Sequence, residues 1–193
     1  MIALWYGILA FMLTTYIVLD GRNFGVGILH WIVARDQNER RQVIAAIGPL
    51  WSWHEVWLVG TGGVMVMAFP RLMAASFSGC YLALFLILWC VLLRGISIEV
   101  RGHLGDRLWQ QFWDAVFVSS NVLLAALFPV MLFSTTDPAR RLTAADCAAP
   151  DASLIIGTAW WFPALILAFG YLYVIQRHYS GKVNVSKDDQ GLY

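Results

Sequence analysis

Residues 3–19 read Ala-Leu-Trp-Tyr-Gly-Ile-Leu-Ala-Phe-Met-Leu-Thr-Thr-Tyr-Ile-Val-Leu, and the next eight positions read Asp20-Gly-Arg-Asn-Phe-Gly-Val-Gly27. The first stretch holds no charge, and roughly 20 mainly apolar residues suffice for a helix to cross a bilayer. The second is a polar break, after which the apolar pattern resumes to about Val33. On a continuous helix Asp20, Asn23 and Gly27 share one face. The expectation is a long membrane helix with a carboxylate inside it, from about residue 3 to 33.

Composition extends that reading to the whole chain. Of 193 residues 60% are hydrophobic and 13% charged, against about 45–50% and about 25% in soluble domains. Four further segments are apolar enough to cross, at about 50–69, 74–93, 112–133 and 153–175. The predicted fold class is therefore an all-α integral membrane protein of about five transmembrane helices in one domain. Pro70 marks the end of the second helix. The first apolar stretch has no basic residue before it and no small-residue cleavage pattern behind it, so it reads as a retained helix. The net charge of +1 gives no reason to expect nucleic acid as a partner. Cys80, Cys90 and Cys147 are odd in number and far apart, so neither a disulfide framework nor a metal cluster is expected.

Basic residues in short loops set the orientation. Arg35, Arg40 and Arg41 fall in the first connection; Arg94, Arg101 and Arg107 in the third; Arg177, Lys182 and Lys187 in the tail. With five spans these sets share one side, which should be the cytoplasm, with the N-terminus outside. Residues 134–152 then form a periplasmic loop, and 180–193 a polar cytoplasmic tail.

Polar side chains are the informative ones inside a bilayer, because burying a charge there costs at least a few kcal/mol. Asp20 calls for a partner, in a structural or proton-conducting role. Arg22 either snorkels to the headgroups or pairs with an acid. Trp51-Ser-Trp-His-Glu-Val-Trp57 opens the second helix, with His54 and Glu55 on faces roughly 100° apart. Glu55 precedes an uninterrupted apolar run, and it is a candidate to relay protons or to pair with Arg22. The tryptophans also suit interfacial anchoring, and Gly60, Gly62 and Gly63 suit close helix packing. Glu99, Arg101, His103, Asp106 and Arg107 make a mixed-charge turn able to collect protons. Asp114 lies just inside the fourth helix, where the helix dipole favours a carboxylate. Ser119, Ser120 and Asn121 follow as a polar patch. A haem held between His30 and His54 is the least favoured reading, since both fall near predicted cytoplasmic helix ends. No soluble-enzyme motif is present.

Taken together, the motifs resemble the second subunit of the cytochrome bd-type quinol oxidase family. Asp20-Gly-Arg-Asn-Phe-Gly-Val-Gly27 is followed by Glu39-Arg-Arg41, Ile47-Gly-Pro-Leu-Trp51, Glu55-Val-Trp-Leu58, Gly62-Gly63, Phe69-Pro70, Phe77-Ser-Gly79, Tyr81, Arg94-Gly95, Glu99-Val-Arg101 and Trp113-Asp114. Phe128-Pro129, residues 142–152, Phe162-Pro163, Tyr171, Gly181-Lys-Val183 and Gly191-Leu-Tyr193 resemble that family's last loop and helix. Several helices that family members carry between these parts have no counterpart here.

The resemblance implies a multi-pass protein of the bacterial inner membrane. It implies an accessory subunit of a complex that passes electrons from quinol to oxygen. Haem b and haem d groups would be carried by a larger subunit I and none by this chain alone, with no metal bound here. A small single-helix subunit is a further implied partner. Asp20, Trp51 and Glu99 match family positions associated with the subunit interface or a proton route from the cytoplasm; His54, Glu55 and Asp114 join them as proton-path candidates. Arg22 and Arg101 are interface or structural candidates. Two family acids are replaced here by Asn23 and Ser52, which cannot titrate near neutral pH. The alternative is a non-catalytic assembly or scaffolding subunit of a divergent complex with another electron acceptor.

Overall fold

In a computed structural model, residues 1–134 and 143–178 are described, and among them every regular element is helical. Helix α1 spans Ile2–Val33. It stops where Ala34 turns extended, its N–H still bonded to the His30 carbonyl at 3.2 Å. Asp36 then caps α2, Gln37–Ala68, in a capping box whose other half is Glu39. The cap satisfies backbone donors that a helix start leaves open. It also explains why α2 begins at Gln37 while the apolar pattern alone suggested about residue 50. Pro49 lies inside α2 without ending it. Ile44 and Ile47, upstream of the proline, are buried with Ile98 and Phe117, and that packing holds the first turns in place.

Pro70 opens α3, Pro70–Gly79, which leaves α2 at an angle of 118°. None of the α3 side chains is buried. The stretch 74–93, expected as one helix, is divided at Cys80 between α3 and α4, Tyr81–Val100. Helix α5 is Arg107–Ser134, α6 is the short turn Ala144–Cys147, and α7 is Asp151–His178. Helices α1, α4, α5 and α7 are each long and apolar enough to span a membrane, and α2 with α3 qualifies as a bent fifth. Residues 135–142 of the expected periplasmic loop and the expected tail 180–193 lie outside the described residues.

Helix α1 packs between α2 and α5, α5 packs on α4, and α2 meets α4 more lightly. Between α1, α2, α3 and α4 this leaves an apolar cleft of about 530 Å³, reaching down to Leu58 and Val91. Helix α7 lies along α1 and α2. The Trp5 indole donates to the Leu154 carbonyl at 3.1 Å, and Trp53 meets Tyr171 with ring centroids 4.0 Å apart. Gly157 lies where a Cβ would collide with Met67 and Trp5. The other face of α7 is bare: Trp160, Ile166 and Leu167 are exposed, as suits a surface that meets lipid or another subunit.

Candidate functional site: two buried ion-pair clusters

The upper cluster grows from one face of α1. Asp20 and Asn23 are a turn apart and fully buried, and the Asn23 amide donates to Asp20 Oδ1 at 2.8 Å. The same Nδ2 lies 2.8 Å from His54 Nδ1 on α2. An amide nitrogen has only hydrogens to offer, so His54 Nδ1 accepts and its ring proton sits on Nε2. From α4, Arg94 reaches in at 0% exposure. Its Nη1 donates to Asp20 Oδ2 at 2.9 Å and its Nη2 to Glu55 Oε1 at 2.9 Å. The guanidinium carbon lies 5.4 Å from the Phe24 ring centroid, completing its cover with a π face.

Three helices thus meet on one arginine. His54 turns toward α1 and its neighbour Glu55 toward α4, as adjacent helix positions must. One guanidinium faces two carboxylates, so the fully ionised cluster carries a surplus negative charge. Glu55 is the member with an outlet, its side chain 20% exposed.

The lower cluster lies nearer the connections α1–α2 and α4–α5, and Asp114 of α5 is its hub. Arg101 binds the carboxylate through Nε at 2.5 Å and Nη2 at 3.3 Å, and also reaches Gln37 Oε1 at 2.8 Å. Arg40 adds a longer contact at 3.5 Å. His30 Nε2 donates to Asp114 Oδ1 at 3.1 Å, its ring edge-on to Phe117 at 5.4 Å. His30, Asp114 and Arg101 are all buried.

The structure brings Asp20, His54 and Glu55 together above, and Asp114 and Arg101 below. Glu99 is exposed and belongs to neither cluster; its carbonyl meets the His103 ring. Trp51 packs against Gly95, where a Cβ would strike the indole. Arg22 is exposed, and Glu55 pairs with Arg94 in its place. Ser52 is exposed, and no cluster side chain bonds to it among the described residues. His54 lies in the middle of α2, because that helix starts at Gln37 and not near residue 50. Gly62 and Gly63 have open space where a Cβ would be, and Gly60 meets only the end of Met12, so the close approaches are at Gly27, Gly95 and Gly157.

Arg94 is the residue sequence reasoning missed. It follows an unbroken apolar run and reads as a loop flank, yet α4 continues past it to Val100. The signal was indirect: a carboxylate at position 20 required a cation, and a long reach along α4 supplied it.

The model of the family described as cytochrome bd terminal oxidase subunit II matches residues 1–175. The chain belongs to that family. Relatives include the cytochrome bd-I ubiquinol oxidase subunit 2 of Escherichia coli (strain K12), 34% identical over 120 residues that cover 62% of this chain and 32% of the relative. The cytochrome bd ubiquinol oxidase subunit 2 of Bacillus subtilis (strain 168) is 33% identical over 132 residues, covering 66% and 39%. A probable cytochrome oxidase subunit 2 of Haemophilus influenzae is 33% identical over 127 residues, covering 66% and 34%. The chain thus spans about a third of the length of these relatives. Like other cytochrome bd oxidase second subunits, it is a multi-pass protein of the bacterial inner membrane.

Proposed function

We propose that this chain is the accessory second subunit of a cytochrome bd-type quinol oxidase. In this reading it packs against a larger haem-bearing subunit and helps carry protons to it from the cytoplasm. Family membership supports the complex. The single observation that supports the proton role is the charge-unbalanced Asp20–Arg94–Glu55 cluster with His54 held beside it.

The haems of the larger subunit supply the electron chemistry of quinol oxidation and oxygen reduction. On this chain His54 Nδ1 accepts from Asn23, so the ring proton stays on Nε2 and that nitrogen has no lone pair to offer, a poor fit to axial ligation by the His30–His54 pair. What the chain's own residues do is hold and pass protons. Asp114 and Glu99 stand on the cytoplasmic side, with the N-terminus outside. Arg94 fixes Asp20, and Glu55 takes and releases a proton at the carboxylate edge that Arg94 leaves free. Arg101 and Trp51 hold the helices that position these groups. Arg22, exposed on α1, is offered to the larger subunit, and a small single-helix subunit is a further candidate neighbour.

Purification of the tagged chain from native membranes in mild detergent tests the assignment. A larger co-purifying polypeptide, haem bands in a reduced-minus-oxidised spectrum and quinol-driven oxygen uptake are expected. Glu55→Gln should then slow turnover while leaving the haem spectrum intact. Undiminished turnover in that variant defeats the proton role.

A second reading has its own support. Asn23 and Ser52 stand where the family resemblance implies acids, and Ser52 is outside the cluster. On that reading the subunit is a scaffold in a divergent complex with another acceptor. Haem and partner without oxygen uptake would favour it.

A further inference from the structure

One nitrogen of the upper cluster serves two neighbours at once. Asn23 Nδ2 lies 2.8 Å from Asp20 Oδ1 on its own helix and 2.8 Å from His54 Nδ1 on α2. An amide nitrogen carries two hydrogens and accepts none, so both contacts are donations and the group is used in full. Asn23 follows Asp20 by about one turn on the buried face of α1. Asp20 is itself fixed, since its other oxygen accepts from Arg94 Nη1 at 2.9 Å. Asp20, Asn23 and His54 are all buried, so bulk water does not compete for these bonds.

The sharing removes a freedom that an asparagine amide ordinarily has. Turning it over would exchange nitrogen for oxygen and set a carbonyl against the Asp20 carboxylate, acceptor to acceptor. While Asp20 is a carboxylate, the nitrogen therefore stays between the two, and His54 Nδ1 meets a donor. A proton on Nδ1 would confront a hydrogen of the amide. The ring can take a second proton there only by breaking this bond between α1 and α2, and its Nε2 already carries one. The charges that face the ring are Asp20 and Arg22 from α1 and Arg94 from α4, with Glu55 beside it on α2; α7 sets Tyr171 against the neighbouring Trp53. A carboxylate at position 23, as the family resemblance implies, would have no hydrogen for either neighbour. Asparagine at 23 and histidine at 54 thus form a matched pair.

We propose that Asn23 is the positioning residue of this cluster: pinned by Asp20, its amide keeps His54 Nδ1 bare, so that His54 relays no proton and Glu55 is left as the group that does. The relay clause rests on the proton reading given above; the state of the ring does not.

Nitrogen NMR of the intact complex carrying isotope-labelled histidine tests the ring, with the His54 signal identified by its loss in His54→Gln. A bare Nδ1 and a protonated Nε2 are expected wherever the complex is active. In Asn23→Asp both ring nitrogens should carry protons at neutral pH, and turnover against pH should gain a step between about pH 5 and 8. Adding His54→Gln to that variant should remove the step. Where Asn23→Asp fails to assemble, Asn23→Ser serves: its hydroxyl has one hydrogen for two acceptors, and the share of bare Nδ1 should fall. A protonated Nδ1 in the unaltered complex, or a ring indifferent to these changes at position 23, overturns the role of Asn23. In His54→Gln alone the profile of turnover against pH should keep its shape; a shifted profile makes His54 a carrier and overturns the relay clause. Undiminished turnover in Glu55→Gln defeats the proton reading instead, and the ring spectrum then decides the role of Asn23 by itself.

Discussion

At the scale of single residues, Arg94 decides most. Its two carboxylates come from different helices, and its burial is complete. Removing one partner of a buried ion pair typically costs about 3–5 kcal/mol, because the other charge is left uncompensated. Arg94→Gln should therefore lower the unfolding temperature of the purified complex sharply. The triple change Arg94→Gln, Asp20→Asn, Glu55→Gln should recover much of that loss, since no charge is then stranded. If the triple variant is no more stable than the single one, the cluster is not the source of the penalty. Asp20 was readable as a residue in need of a cation, because a lone carboxylate in an apolar run has no other explanation. Which cation met it was not readable. Arg22 was near in sequence, but it projects outward from α1, and the choice of Arg94 depended on the lateral packing of helices.

Elements show where local chemistry outweighs hydropathy. The apolar pattern places the start of α2 too late, since Gln37–Gly48 is polar by composition; what decides the matter is the Asp36 and Glu39 capping box. Asp36→Ala should cost about 1 kcal/mol, seen as faster amide exchange over the first turns of α2 and no change at α7. The split of residues 70–100 into α3 and α4 was equally hidden, since hydropathy measures length of apolar run and not its direction. Helix α6 offers a pH-dependent case outside the spans. Thr143 donates hydrogen bonds to Asp146 from its hydroxyl and its backbone and holds that carboxyl below its ordinary range. A depressed acid stabilises above its unfolded pKa and loses that contribution as pH falls through the folded value. The α6 cap should therefore open in acid, not in base. In Thr143→Ala the Asp146 titration, followed by carbon NMR, should move up toward an ordinary carboxylate.

For the whole molecule, membrane class and family were legible early, since they rest on composition and on motifs strung along the chain. The three-dimensional meeting of clusters was not, because it depends on α1 serving as the common wall for α2 and α5. Helix α7 is the least committed part of the assembly. It holds to the rest by the Trp5–Leu154 bond, by ring contacts of Trp5 with Trp161, Trp53 with Tyr171 and Trp57 with Phe169, and by the notch at Gly157. Gly157→Leu should prise it away without touching either ion-pair cluster. Amide exchange or proteolysis near residues 151–178 should then rise, while the haem spectrum of the complex stays unchanged. Equal protection in wild type and variant would mean that a neighbouring subunit, not α1 and α2, holds α7.

The Asp20–Arg94 pair also constrains how the chain is made. Its members are 74 positions apart, so the ribosome delivers the carboxylate long before the guanidinium. During that interval α1 settling into lipid with Asp20 ionised would cost at least a few kcal/mol. It must either enter with the carboxyl protonated or wait beside the insertion machinery until α4 follows. Along the second route, release of the first helices into the bilayer is timed by the emergence of α4, and the pair that stabilises the finished subunit also bears on the order of its assembly.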